Sequence, residues 1–178
     1  MNTIRILDKT FAPFIGHEKI QEAVLKIGRQ MQADFKDASP LFLCVLNGSF
    51  IFAADLFKVY EGPAEISFIK LSSYKGTATT EEVKTVIGLT EDIKGRDLVI
   101  LEDIIDSGIT VAHLVKDLSQ YNPRSIKIAT LLLKPAALRT DILPDYVGME
   151  IPNDFIVGYG LDYDGFGRNL KDIYKIVE

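Results

Sequence analysis

The stretch that most limits what this chain can become is residues 98–118, LVILEDIIDSGITVAHLVKDL. Leu98, Val99, Ile100 and Leu101 make an unbroken apolar run, the pattern of a strand buried on both faces inside a parallel sheet. Glu102 and Asp103 end that run. Two more apolar residues lead into Asp106, Ser107, Gly108, Ile109 and Thr110, where small and hydroxyl residues surround one glycine. Val111, Leu114, Val115 and Leu118 then recur at i, i+3, i+4 and i+7, one face of an amphipathic helix. The spacing predicts a strand, an acidic pair, a short turn and a helix, in that order.

A turn that opens a helix presents unpaired backbone N–H groups and the positive end of the helix dipole, so it suits a phosphate. Ser107 and Thr110 add hydroxyl donors, and Gly108 tolerates a backbone angle that other residues resist. The carboxylates of Glu102, Asp103 and Asp106 do not help an anion. They fit a ligand that also carries vicinal hydroxyls, which donate to carboxylates, or a Mg²⁺ ion, which they ligate. A ribose phosphate meets that description. A lone acidic pair is by default a solvated strand end; the buried strand, glycine turn and helix around this one weigh toward function.

Residues 98–110 resemble the phosphoribosyl diphosphate (PRPP) motif of type I phosphoribosyltransferases, and the wording EDIIDSGIT is similar to their hypoxanthine-guanine branch. The resemblance extends over roughly residues 40–175. It implies a parallel α/β core flanked by helices with a small hood formed by the terminal segments. A single domain over 1–178 is expected, its core at about 36–145 and its hood from the N-terminal segment and about 146–178.

Composition is compatible with this. A chain of 178 residues is one domain of ordinary size, and 47% hydrophobic with 25% charged residues is a soluble globular balance. A net charge of −5 argues against a surface built to hold nucleic acid or acidic membrane. Cys44 is the one cysteine and lies in the apolar run LFLCVL, so it reads as core, and a reducing, cytoplasmic compartment is expected. The N-terminus lacks the basic-then-apolar pattern of a signal peptide. The richest apolar stretch, residues 41–54, is interrupted by Asn47, Gly48 and Ser49 and is too short to span a bilayer. The two histidines, His17 and His113, lack ligand spacing to each other, which leaves no support for a zinc site.

Along the chain, residues 1–15 show no clear period. Ile20, Val24, Ile27, Met31 and Phe35 predict a helix with one core-facing stripe. Strands are expected at 41–46, 65–71, 86–89, 126–133, 146–151 and 155–159, with a helix at about 50–57. The alternation of strands and helices implies a parallel sheet. Ligands then collect beyond the carboxyl ends of the strands, at the turns near 47–49, 72–82, 102–110 and 134.

The resemblance also implies roles. Glu102 and Asp103 would hold the ribose hydroxyls, and Asp106, Ser107, Gly108, Ile109 and Thr110 the 5′-phosphate. Asp106 matches a catalytic proton acceptor at purine N7. Asn47 and Gly48 fall on a diphosphate-binding turn that often contains a cis non-proline peptide; many relatives carry Lys or Arg at the position of Asn47, so the contact here is assigned to backbone. Ile109 replaces a Lys found in some relatives. Ser73 and Tyr74 resemble a flexible loop that closes over the diphosphate and excludes water. Lys134 would donate to a purine 6-oxo group. Phe155 would stack on the base, with Ile156 beside it, although Phe155 also reads as core. Asp162 matches a residue near the base and the metal shell, and Arg168 a diphosphate ligand. Mg²⁺ would be held by Glu102, Asp103 and Asp162.

The expected activity is purine salvage: PRPP and hypoxanthine, or guanine, give IMP, or GMP, and diphosphate. A homo-dimer or homo-tetramer is expected, with the apolar helix at 50–57 as one interface, and no nucleic acid or membrane partner. Two other classes compete. A ligand-sensing regulator on the same fold would need a nucleic-acid-binding segment. A phosphotransfer receiver would not explain Ser107 to Thr110.

Overall fold

A computed structural model describes residues 3–74 and 82–177. Six strands form the main sheet in the order β5–β4–β3–β6–β7–β8: β3 (Leu41–Leu46), β4 (Glu65–Tyr74), β5 (Glu82–Ile87), β6 (Asp97–Ile105), β7 (Ser125–Leu133) and β8 (Tyr146–Glu150). Five run parallel. The edge strand β5 departs from the expected all-parallel sheet: it is the return arm of a hairpin with β4 and pairs antiparallel. It also ends at Ile87, so Gly88 and Leu89 lie outside the strand expected at 86–89.

The helices cover both faces. On one face, α1 (His17–Asp34) and α2 (Phe50–Val59) bury Ile20, Val24, Ile27, Met31, Phe52 and Leu56 against Phe42, Cys44, Val99 and Leu101. On the other, α3 (Ile109–Ser119) buries Val111, Leu114 and Leu118 against Leu41, Leu43, Leu98 and Ile100. The central stretches Leu41–Leu46 and Leu98–Leu101 therefore carry apolar residues at every position, which is why they read as continuous hydrophobic runs. Cys44 is fully buried, and burial pushes its thiol up to about 11, so it is core and stays protonated.

A second, antiparallel sheet of order β1–β2–β10–β9 makes the hood: β1 (Ile4–Ile6), β2 (Lys9–Ile15), β9 (Ile156–Val157) and β10 (Ile173–Ile176). The apolar stripe of α1 lies on the main sheet, and β8 extends that sheet beside β7. The hood also reaches back to the core: Asp172 accepts the His17 N–H at 2.7 Å. It supplies the N-terminal cap that Gly16 cannot provide with its own side chain. Among the described residues no helix is long and apolar enough to cross a membrane.

Candidate functional site

β6 does not stop at the acidic pair. It continues to Ile105, and Glu102, opposite Thr130 of β7, lies inside the ladder. Glu102 is 7% and Asp103 9% exposed, so these are buried carboxylates and not the solvated strand end that charge would normally favour. Burial, with the neighbouring Asp103 charge, pushes the Glu102 carboxyl well above the ordinary range. Burial also pushes Asp103 up to about 6, and Asp162 adds to this against the pull of backbone N–H groups and Arg168.

The turn after β6 enters α3 through Gly108, which has φ +77° and caps the helix in the left-handed conformation. A side chain there would meet Thr140 Oγ1 at 2.5 Å. Helix first-turn amides have no intrahelical acceptor; Ile109 N–H donates to Ser107 Oγ at 3.4 Å, and the amides after it face outward from this end of α3 as donors. Ser107, Gly108 and Thr110 line a cavity of about 230 Å³ together with Gly48, Glu102, Asp103 and Asp106. It adjoins a second cavity of about 320 Å³, lined by Lys134, Phe155, Ile156, Leu161, Asp162 and Arg168. Gly48, Asp103, Ile104 and Asp106 line both. The two therefore form one cleft between the carboxyl edge of the main sheet and the hood.

Lys134 differs most from its default as a solvated strand cap. It is 7% exposed, and its Nζ sits 2.9 Å from Asp106 Oδ2. Its backbone N–H extends the β6–β7 ladder by donating to Ile105 O at 2.9 Å. The junction of the two cavities is thus marked by a buried ammonium ion paired with a half-exposed carboxylate. On the hood side, Arg168 Nη2 lies 2.7 Å from Asp162 Oδ1, and Arg168 Nη1 donates to Gly160 O at 2.7 Å. Asp162 Oδ2 also accepts the Gly165 N–H at 2.7 Å. Phe155 is 47% exposed, which removes its alternative as core. Tyr163 meets the Phe155 ring edge-on at 6.0 Å and Phe11 flanks it at 6.4 Å.

The Leu46–Asn47 peptide is cis. Gly48 lines the cleft, whereas Asn47 and Ile109 are not among its lining residues. The backbones of Ser73 and Tyr74 pair with Val83 and Glu82 at the end of the β4–β5 hairpin. The rest of the expected closing loop, residues 75–81, lies outside the described residues. Several apolar lining residues escaped the sequence reading, Ile104 and Leu161 among them. Ile104 touches both cavities and Leu161 the second. The signal for Ile104 was its place between two acidic positions of one strand, and its apolar character hid it.

Gly48 and Gly160 let the hood approach this turn. A Cβ on Gly160, whose φ is +100°, would collide with Gly48 O, and a Cβ on Gly48 would collide with the Asp103 carboxylate. Gly160→Ala is therefore expected to cost about 2–4 kcal/mol, a left-handed backbone plus an overlap that backbone atoms cannot relieve. Gly165, with φ +87° and nothing within 4 Å of its would-be Cβ, is the control. Gly165→Ala should cost only about 1–2 kcal/mol, the backbone term alone. Urea denaturation of both variants checks the difference.

The buried carboxylates set a pH dependence. A carboxyl whose folded pKa is raised adds stability that is full below its unfolded pKa and is lost as pH rises through the folded value. For Asp103 that window runs from about 3.8 to about 6, and Glu102 extends it upward. Asp97 works in the opposite sense: hydrogen bonds from Arg124 and Ser125 lower its pKa, so its contribution is lost only below its unfolded value of 3.8. The ligand-free protein should lose thermal stability between pH 4 and above 6. Asp103→Asn should flatten that slope in a thermal-shift series, and an unchanged slope would exclude Asp103 as its source.

An α/β sheet whose carboxyl edge carries a glycine-capped helix start, buried carboxylates and a hood cavity bearing Phe155 defines a nucleotide- or sugar-phosphate-handling class. A family model for the phosphoribosyl transferase domain matches residues 16–164. The chain is 43% identical over 160 residues to the hypoxanthine-guanine phosphoribosyltransferase of Bacillus subtilis, covering 89% of each protein. It is 40% identical over 163 residues to the one from Mycobacterium tuberculosis, covering 88% of this chain and 81% of that protein. The crystal structure of a hypoxanthine-guanine phosphoribosyltransferase from Bacillus anthracis superposes with a TM-score of 0.89 at 39% identity, covering 93% of this chain and 98% of that one. A hypoxanthine phosphoribosyltransferase from Staphylococcus aureus gives 0.89 at 34% identity, over 93% and 91% of the chains. The chain belongs to the phosphoribosyltransferase family, in its hypoxanthine-guanine branch.

Proposed function

We propose that this protein is a purine-salvage enzyme that transfers the 5-phosphoribosyl group of PRPP to hypoxanthine, and to guanine, releasing diphosphate. The observation that carries this reading is the single cleft in which the Asp106–Lys134 pair joins the helix-turn cavity to the aromatic-lined one. In this assignment Ser107, Gly108, Ile109 and Thr110 hold the 5′-phosphate at the α3 terminus. Glu102 and Asp103 accept hydrogen bonds from the ribose hydroxyls. Gly48 and the Asn47 backbone, with Arg168, take the diphosphate. Phe155 covers the base, Ile156 and Asp162 flank it, and Lys134 donates to its 6-oxo group. The C1–diphosphate bond breaks, the C1–N9 bond forms, and Asp106 takes the proton from N7. Ser73 and Tyr74 belong to the segment that closes against water.

Mg²⁺ fits the residues present. The cleft holds the carboxylates of Glu102, Asp103, Asp106 and Asp162 against the cations Lys134 and Arg168, a balance that repels a polyphosphate on its own. Among the described residues no three acidic, histidine or cysteine side chains converge into a ready-made metal cluster. Glu102, Asp103 and Asp162 would thus contribute one or two oxygens beside diphosphate and water, the usual protein share for Mg²⁺. The bound ion supplies charge neutralisation for the leaving diphosphate. A homo-dimer or homo-tetramer is the proposed assembly, and half-exposed Phe50 on α2 and Phe68 on β4 give it apolar surface. The single buried thiol fits a reducing, cytoplasmic setting.

Incubation with PRPP, Mg²⁺ and hypoxanthine tests the reading. IMP and diphosphate are the expected products in equal amounts, and their absence while PRPP still binds would favour a ligand sensor.

A further inference from the structure

The hood residue between Gly158 and Gly160 is Tyr159, and it is almost fully buried with φ +50°. A non-glycine residue holds that left-handed conformation only where its surroundings fix it. Its phenol leaves the hood and enters the core, donating to Asp55 Oδ2 on α2 at 2.5 Å. The same carboxylate accepts Gln21 Nε2 of α1 at 3.0 Å and pairs with Lys58 Nζ at 2.7 Å. Its Tyr159 backbone N–H donates to Leu170 O at 2.8 Å, and the next one, of Gly160, donates to Arg168 O at 2.9 Å. Gly160 O receives the Arg168 guanidinium, and Gly160 itself lies against Gly48 O. Asp55 in turn stands one turn into the helix that starts directly after the turn at Asn47, Gly48 and Ser49.

We infer that Tyr159 and Asp55 are a positioning pair that fixes the separation of the two diphosphate-binding elements, the Gly48 turn on the core and Arg168 on the hood. The inference rests on the diphosphate assignment made above. Neither residue lines the cleft, so neither touches substrate. Their hydrogen bond is the polar tie between the helix that follows one element and the turn that holds the other. Losing it leaves each element folded and lets their spacing relax. The consequence falls on the ligand group that bridges them and spares the base, which sits against Lys134 and Phe155.

The test uses the full chain with Tyr159→Phe, which removes one oxygen and keeps the buried ring. The Michaelis constant for PRPP should rise about tenfold, the worth of a hydrogen bond to a charged group, while that for hypoxanthine stays within about twofold. Calorimetric affinity for diphosphate with Mg²⁺ should fall by the same factor as PRPP. Asp55→Asn keeps an acceptor for the phenol and should stay within about threefold of wild type. Asp55→Ala should match Tyr159→Phe, and the double variant should be no worse than Asp55→Ala, because the two changes remove one interaction. Equal rises for both substrates, no rise for either, or additive losses in the double variant would overturn the pair as a positioning device. If the wild-type protein makes no IMP, the functional reading falls, while diphosphate affinity in Tyr159→Phe against wild type still decides the pair.

Discussion

Asp106→Asn is expected to lower kcat by about 10²–10⁴, the range for loss of a general acid–base, with the PRPP Michaelis constant within a few-fold of wild type. Asn cannot take a proton from the purine, yet it occupies the same volume at the mouth of the turn. Asp106 Oδ2 lies 2.9 Å from Lys134 Nζ, so the substitution also removes the charged partner of a buried ammonium. That side effect is small. Asn keeps an oxygen that accepts from Lys134 Nζ, and the 53% exposed position lets water screen the charge that is lost, so the cost stays at about 1 kcal/mol. Thermal unfolding of the variant beside its steady-state kinetics separates the two. A fall in kcat with an almost unchanged melting midpoint identifies Asp106 as the proton acceptor. Equal turnover would remove that role.

Lys134→Ala carries the second large effect, on specificity. An ammonium group has three donors and no acceptor, so it matches a 6-oxo purine and leaves a 6-amino group without a partner. Lys134 is held rigidly: its side chain is 9% exposed, tied to Asp106, and its backbone is locked into the ladder beside Ile105. A buried donor of that kind rejects a ligand that cannot satisfy it far more strongly than an apolar wall rejects a misfit. Removing it should lower kcat/KM for hypoxanthine by about 10²–10³ and leave adenine nearly unchanged, so the ratio collapses. Parallel kinetics with the two bases check this. A ratio that survives the substitution would place the selector elsewhere in the hood.

How much of this was legible beforehand depended on where the physics leaves a local trace. Strands buried on both faces and helices with one apolar stripe are written into nearby residues, and β3, β7, α1 and α2 lie close to their expected bounds, whereas β6 runs four residues past its own. The hood left little trace. β2 contains Pro13, which pairs opposite Tyr174 at a strand position that proline usually avoids. β9 and β10 are two and four residues long, and the register slips between Ile173 and Tyr174. Such strands take their stability from neighbours: β9 lies inside the strand expected at 155–159 but is shorter, and no periodicity announces β10.

The site divided along the same line. The turn at residues 106–110 was readable because strand, glycine and helix follow one another in the chain. The burial of Glu102 and Asp103 was not, since charge ordinarily marks the end of a strand. The Lys134–Asp106 and Arg168–Asp162 pairs join elements that are remote or folded back on themselves. Only the sheet register and the hood turn bring them together. The Tyr159–Asp55 contact spans 104 positions and left no sequence signal at all.

The most direct test of the account is kcat/KM for hypoxanthine, guanine, xanthine and adenine with saturating PRPP and Mg²⁺. If Lys134, oriented by Asp106, reads the 6-position of the base, hypoxanthine or guanine should exceed adenine by about 10² or more. Adenine used as well as hypoxanthine would contradict the account, whatever the other bases do.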